Sequence, residues 1–326
     1  MTMMTMVQAI NFVLEKEMEK DHRVLILGQD VGVNGGVFRV TDSLIDKFGE
    51  KRVVDTPISE SAIIGSAVGM AVRGLRPIAE IQFMGFIFEA MDQMVAQASR
   101  IRFRSGGVKT VPLVVRSPYG GGIRAPELHS DSLEGLFVHT PGLKVVMPSS
   151  PYDAKGLLTA AIRDPDPVLF LEPILLYRAF EEEVPEEDYT IEIGKAKIVR
   201  EGTDVTIITW GPPVHTVKVV AEKWWKEKNI SIEVIDLRTV APMDTETIIA
   251  SVNKTERVII VHEAVKTGGA GAEVAAIISE KALYRLSAPI LRVAGFDTPY
   301  PPPSIENDWL PNEKRINEAL IEILED

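Results

Sequence analysis

Cysteine is absent from the chain, which removes disulfides, thiolate nucleophiles and cysteine-based metal sites from consideration. No apolar run approaches the ~20 residues that a membrane-spanning helix requires. The opening Met1-Thr2-Met3-Met4-Thr5-Met6 has neither a basic stretch nor an apolar core, so it does not read as a secretory signal. Positive charge is also in deficit. Lys and Arg number 35 against 47 Asp and Glu, a formal net charge of -12, and such a surface repels phosphate backbones. Neither nucleic acid nor membrane is an expected partner, and the cytoplasm is the expected compartment. Three glycine signatures are missing as well: G-x-G-x-x-G after an early strand, a P-loop, and any Gly-Asp-Gly triplet. The first absence argues against an NAD-dependent oxidoreductase with doubly wound domains.

What is present is an ordinary globular composition, 45% hydrophobic and 25% charged, over 326 residues. Division by roughly 150 residues per domain gives about two domains. Thr5 and Gln8 have capping-box spacing, and Ile10, Val13, Leu14 and Met18 recur at helical intervals, so an amphipathic helix opens the fold. Continuous apolar runs predict buried strands at 24–27, 78–81, 112–116 and 168–171. Helices are expected at 41–48, at 91–101 running out at Gly106-Gly107, and from Ser150-Pro151 to Arg163. The second half repeats the alternation, with strands at 205–209, 232–235, 258–261 and 290–293 and a final helix over 312–324. The pattern specifies an α/β protein of two domains with mainly parallel sheets. The boundaries are 1–180, an acidic linker at 181–202 around Glu181-Glu182-Glu183 and Glu186-Glu187-Asp188, and 203–326.

Val53-Val54-Asp55-Thr56-Pro57-Ile58-Ser59-Glu60 organises the first half. An apolar strand end meets a Pro-stiffened turn, Ser59 can cap the next helix, and Glu60 falls in its first turn. The helix dipole by itself favours a carboxylate there. Strand-to-helix corners of parallel sheets are also where ligands usually bind. Phe83, Phe86 and Phe88 form an aromatic cluster. A long glycine-rich segment, Ser117-Pro118-Tyr119-Gly120-Gly121-Gly122 through Pro126-Glu127-Leu128-His129-Ser130-Asp131, is of a length that compact domains usually keep for function. Gly268-Gly269-Ala270-Gly271 matches no phosphate-loop pattern and reads as tight packing, and His262-Glu263 at a strand end carries no signal of its own.

The run Asp55 to Glu60, with Gly74-Leu75-Arg76-Pro77, the segment around His129 through Ser132-Leu133-Glu134-Gly135, and Pro141-Gly142-Leu143-Lys144-Val145-Val146, resembles the beta subunit of thiamine-diphosphate-dependent 2-oxo acid dehydrogenases. The resemblance extends to Trp309-Leu310-Pro311 and is strongest in the first domain. It implies a transketolase-like pyrimidine-binding domain followed by a transketolase C-terminal-like domain. It further implies oxidative decarboxylation of a 2-oxo acid, pyruvate or branched-chain, with acyl transfer to a lipoyl arm. Glu60 would then hydrogen-bond the cofactor's pyrimidine nitrogen, Phe86 would stack on that ring, and Ile58 with Phe86 would exclude water. His129 would face the active site as proton donor or stabilising group. A structural potassium ion would map onto Leu113, Ala161, Ile162, Asp164 and Asp166. The missing Gly-Asp-Gly implies that magnesium and the diphosphate are held by a separate alpha subunit, in a heterotetramer of two alpha and two beta chains. That assembly would serve a dihydrolipoyl acyltransferase core and its lipoyl domain. An acetoin dehydrogenase beta subunit and a non-catalytic scaffold subunit remain as alternatives.

Overall fold

A computed structural model describes residues 1–325. The first half runs β1 (Thr2–Met4), α1 (Met6–Lys20), β2 (Val24–Gly28), α2 (Leu44–Phe48), β3 (Val53–Asp55), α3 (Glu60–Val72) and β4 (Arg76–Glu80). It continues through α4 (Ile101–Arg104), β5 (Val114–Tyr119), α5 (Glu134–Val138), β6 (Lys144–Val146), α6 (Pro151–Arg163) and β7 (Val168–Pro173). After β8 (Glu182–Val184) and β9 (Lys197–Arg200) come β10 (Val205–Thr209), α7 (Pro213–Lys228), β11 (Ile232–Asp236), β12 (Thr239–Ala241) and α8 (Thr245–Thr255). The chain closes with β13 (Val258–Val265), α9 (Ala270–Ala282), β14 (Leu291–Gly295), α10 (Glu306–Trp309) and α11 (Glu313–Glu325).

Two largely parallel sheets organise these elements, as the strand–helix alternation predicts. The first has the order β12-β6-β7-β5-β4-β2-β3 and the second β14-β13-β10-β11-β9, with only β12 and β9 running antiparallel. Strands β2, β5 and β7 are buried along their whole length, consistent with a sheet covered on both faces. The capping box of α1 is present, Gln8 N donating to Thr5 Oγ1 at 3.4 Å and Thr5 N to Gln8 Oε1 at 2.8 Å. A charged cluster lies inside the first sheet. Arg116 of β5 donates to Glu80 of β4 at 2.7 Å and to both Glu172 oxygens of β7 at 2.6 and 2.8 Å. Tyr177 Oη adds 2.6 Å to Glu172. Burial still pushes the Glu80 carboxyl above its ordinary range, with Arg116 opposing the shift.

Several elements differ from the sequence expectation, for local reasons. Only residues 44–48 of the expected helix at 41–48 form, because the Thr41 hydroxyl donates to Val31 O at 2.7 Å and Ser43 adopts a left-handed conformation. The long helix expected over 91–101 is broken. A 3-10 turn spans Met84–Ala90, a π-helical turn spans Asp92–Ala98, and α4 follows. Ser99 N donates five residues back to Met94 O at 3.2 Å and its hydroxyl to Val95 O at 2.8 Å, which over-widens the turn. Strand β5 starts later than expected and runs to Tyr119, because β7 pairs with it as far as Pro173. The stretch at 181–202 is not simply solvated: β8 pairs with β1, and β9 forms an edge of the second sheet.

The two halves share one interior. A single apolar cluster includes Leu27, Ile64, Phe137, Val145, Trp210, Ile235, Ile260 and Ile278, and β12 crosses back to extend the first sheet beside β6. A polar seam accompanies it. Ser149 Oγ donates to the Asp236 carboxyl, and Arg238 donates to Asp153 at 3.1 Å. Asp236 is fully buried, and desolvation pushes its pKa from 3.8 up to about 7.

A raised carboxyl pKa means the folded state holds a proton that the unfolded chain has lost. Stability from Asp236 is therefore present below about pH 4 and is lost as pH rises through about 7, a change on the order of a few kcal/mol. Thermal unfolding of Asp236→Asn should show a smaller drop in Tm between pH 5 and 8 than the parent chain. An unchanged Tm slope would remove Asp236 as its source.

Candidate functional site

The turn between β3 and α3 delivers Glu60 to the site. Asp55 closes β3 and accepts Gly32 N at 2.6 Å and Val33 N at 3.0 Å, tying the glycine loop at 32–36 to this corner. Thr56 N donates to Gly28 O at 3.0 Å, so the turn is fastened to β2 as well. Ser59 does not cap with its side chain, and its carbonyl accepts Ile63 N at 2.9 Å to start α3. Glu60 is therefore the first helical residue and is only 8% exposed. Among the described residues no hydrogen bond or ion pair engages its carboxylate, and the buried Thr56 hydroxyl also lacks a partner. A buried hydroxyl without a partner is costly, and a polar ligand at this corner would satisfy Thr56 and meet the free Glu60 carboxylate.

Helix α3 packs against the Met84–Ala90 turn, and that turn packs against Glu127–His129. Glu60, Phe86 and His129 thus come from three neighbouring segments. The His129 ring lies 4.4 Å from Phe83 and 5.2 Å from Phe86, edge to face in both cases. Gly85 makes this possible, since a Cβ there would meet Leu128 O at 2.3 Å. Phe88 is exposed and outside the ring cluster. Ile58 departs from its expected part. It is 85% exposed and does not shield Glu60 from water within this chain.

The five carbonyl-site residues do lie together, where α6 ends beside the entry to β5. Leu113 O accepts Val168 N at 2.9 Å and Ala161 O accepts Asp164 N at 3.2 Å. Ile162 O and Asp164 O both take the Arg76 guanidinium, at 2.8 and 3.3 Å. The Asp164 and Asp166 side chains pair with Lys144 and Arg102. Among the described residues no cluster of three or more His, Asp or Glu side chains could hold a metal ion.

Residues of the second domain complete the surroundings, and the sequence reading missed them. Glu263 accepts Gly121 N, and Glu306 accepts Gly122 N at 3.1 Å. Trp210 Nε1 donates to Glu134 at 3.3 Å. Burial raises the Glu134 and Glu263 carboxyls from 4.5 to about 7, and Asp131 from 3.8 to about 6. The one sequence signal was the pair His262-Glu263 at a strand end. His262 is buried against Trp210, with ring centroids 5.1 Å apart, and desolvation lowers its pKa to about 3. The tight packing expected at 268–271 is observed, because a Cβ on Gly271 would strike His262 at 2.5 Å.

Comparison with known proteins accords with this arrangement. Residues 2–179 match the transketolase pyrimidine-binding domain and residues 194–316 the transketolase C-terminal domain. The pyruvate dehydrogenase E1 component subunit beta of Staphylococcus aureus is 57% identical over 325 residues, and that of Bacillus subtilis is 55% identical. Both matches cover 100% of each chain. A solved structure described as a split gene transketolase, inactive beta4 tetramer, shares the fold with a TM-score of 0.80 at 20% identity, covering 99% of this chain and 98% of that one. No helix among the described residues is long and apolar enough to cross a membrane. With near-60% identity end to end and both transketolase domains in place, the chain belongs to the family of 2-oxo acid dehydrogenase E1 component beta subunits.

Proposed function

We propose that the chain provides the pyrimidine half of a thiamine diphosphate site for oxidative decarboxylation of pyruvate and acyl transfer to a lipoyl domain. The observation that carries this reading is Glu60 at the head of α3, only 8% exposed and with no hydrogen bond or ion pair on its carboxylate among the described residues. Its helix packs against the turn carrying Phe86, whose ring lies 5.2 Å from that of His129. When bound, thiamine diphosphate supplies the carbon centre that adds to the 2-oxo acid and accepts the electrons released with carbon dioxide. Glu60 would hold a proton against the pyrimidine ring nitrogen, setting its tautomer. Phe86 offers a ring face for stacking. His129, packed edge to face on Phe83 and Phe86, would hold or donate a proton as the acyl group leaves. Pyruvate is favoured over a branched-chain acid, and over the acetoin and scaffold alternatives, by the relatives' names and their full-length identity.

The remaining parts of the proposal lie beyond this chain. Magnesium needs hard oxygen ligands arranged around the diphosphate, and the sequence has no Gly-Asp-Gly to supply them. An alpha chain would bring both, in an assembly of two alpha and two beta chains, and would cover Ile58. A potassium ion at Leu113, Ala161, Ile162, Asp164 and Asp166 would have to share carbonyls that already accept hydrogen bonds, two of them from Arg76, whose positive charge opposes a second cation, so these residues as they stand fit the ion poorly.

Glu60→Gln preserves shape and removes the acid, so decarboxylation of pyruvate by the assembled enzyme should fall by about two orders of magnitude while assembly is retained. Activity within about threefold of the parent would sink the proton-holding role. His129→Ala should slow lipoyl-domain acylation with cofactor affinity preserved, and unchanged acylation kinetics would return His129 to an ordinary loop residue. Calorimetric titration with thiamine diphosphate and magnesium should show negligible heat with this chain alone and clear binding once the alpha chain is added. Tight magnesium-dependent binding by the chain alone would overturn the split site.

A further inference from the structure

The loop that carries His129 is fastened from the second domain as well as by its packing on the Met84–Ala90 turn. A single oxygen, Glu306 Oε1, accepts Gly122 N at 3.1 Å, Arg124 N at 3.2 Å and Tyr300 Oη at 2.7 Å. Glu306 is 2% exposed, and the Arg124 backbone it holds is left-handed, with φ of 59°. A non-glycine residue keeps that conformation only where its surroundings over-determine it. The fastening is rigidly mounted. Trp309 sits where a side chain on Gly295 would be, its Nε1 donates to Thr298 at 3.0 Å, and its ring packs on Tyr300 at 5.0 Å. The hold therefore runs from β14 through Trp309 and Tyr300 to Glu306.

On the other side of Glu306 the loop is cross-tied. Ser130 Oγ donates to Ala125 O at 3.2 Å, His129 N to Pro126 O at 2.8 Å, and Gly120 N to Asp131 O at 3.2 Å. A loop bound to itself in this way shifts as a unit, so its attachment at residues 122–124 acts together with the packing of Leu128 on Gly85 to set where His129 stands against Phe83 and Phe86. Glu306 lies 177 positions beyond His129 in the chain (306 − 129), so nothing in the local sequence joins them.

We propose that Glu306, with Tyr300, is a positioning residue for His129, fixing the loop from the second domain so that acyl transfer, rather than decarboxylation, depends on it. The proposal rests on the acyl-transfer role given to His129 above. Because Glu306 meets the loop through backbone donors, any side chain offering an oxygen at that place preserves the hold, whatever its charge.

The test uses the chain assembled with its alpha partner and compares three measurements. These are decarboxylation with a small artificial electron acceptor, acylation of a lipoyl domain, and tryptic cleavage after the exposed Arg124. Glu306→Ala should slow acylation about tenfold and leave the artificial-acceptor rate within about twofold, since small misplacements are felt only by the step that uses the group. It should also speed cleavage after Arg124 about tenfold, because cleavage follows the population of the opened loop. Glu306→Gln keeps the accepting oxygen and should return both to within about threefold of the parent. If Glu306→Ala does not assemble, Tyr300→Phe carries the test, with the same two changes in smaller measure. Wild-type acylation and cleavage in these variants, equal loss of both half-reactions, or a Gln variant as defective as Ala would each overturn the proposal. Should His129→Ala acylate normally while cleavage after Arg124 still rises in Glu306→Ala, the role of His129 falls and the attachment of the loop stands.

Discussion

The close approach of second-domain side chains to the backbone at Gly120–Gly122 is the constraint on which the rest of this structure depends. A Cβ on Gly121 would stand 1.7 Å from the Tyr300 hydroxyl, and one on Gly120 would stand 2.9 Å from Glu263. Gly120 and Gly122 also have φ of 88°, a region glycine enters at no steric cost. Bare backbone on one side meets carboxylates on the other, Gly121 N donating to Glu263 and Gly122 N to Glu306. Similar fits recur along the seam, where Gly211 admits the Tyr119 hydroxyl and Gly135 meets Gly268 O. The two domains are consequently one packed body, and the loop that carries His129 is attached at the join.

Keeping that seam dry has an electrostatic consequence. Glu134, Glu263 and Asp236 are all buried, and burial moves each carboxyl to about 7. The Arg116 cluster solves the same problem in another way, setting two carboxylates on one guanidinium and the Tyr177 phenol on the Glu172 carboxylate. Such buried pairs are weak evidence for net stability, because desolvation opposes their attraction, and their register across β4, β5 and β7 makes strand order and alignment hard to change. The exposed pairs around Lys47, Glu15 and Glu19 have no comparable consequence, since water and salt screen them.

What could be read from the chain follows from the range of the interactions involved. The capping box at Thr5 and Gln8, the buried strands, and the Glu60 corner are written in residues close together, so their spacing was legible. The π-helical turn at 92–98 was not, because Met91, Met94, Val95 and Ala98 fit an α-helical stripe equally well and only the hydrogen bonds of Ser99 separate the two. Strands β1, β8, β9 and β12 were invisible for a related reason. Each is only three or four residues long and is held by a partner far away in sequence, as Thr2 is by Val184. Glu306 belongs with these. Its carboxylate follows the proline-rich stretch at 299–303, and only the folded chain brings it to the loop.

These two kinds of information divide the proposed site in an instructive way. Glu60 and Phe86, which in the proposed site would meet the cofactor ring, lie on elements of the first domain whose positions are set by local sequence and by the sheet. His129 is placed by a loop whose ends are held across the domain join, so its position depends on parts of the chain that do no chemistry. Ile58, 85% exposed beside the 8% exposed Glu60, shows where cover stops within this chain. A group that must work away from water needs that side closed as well, and in the proposed assembly the closure comes from the alpha chain. Catalysis would then wait on assembly because the acid is supplied by one polypeptide and the exclusion of water by another.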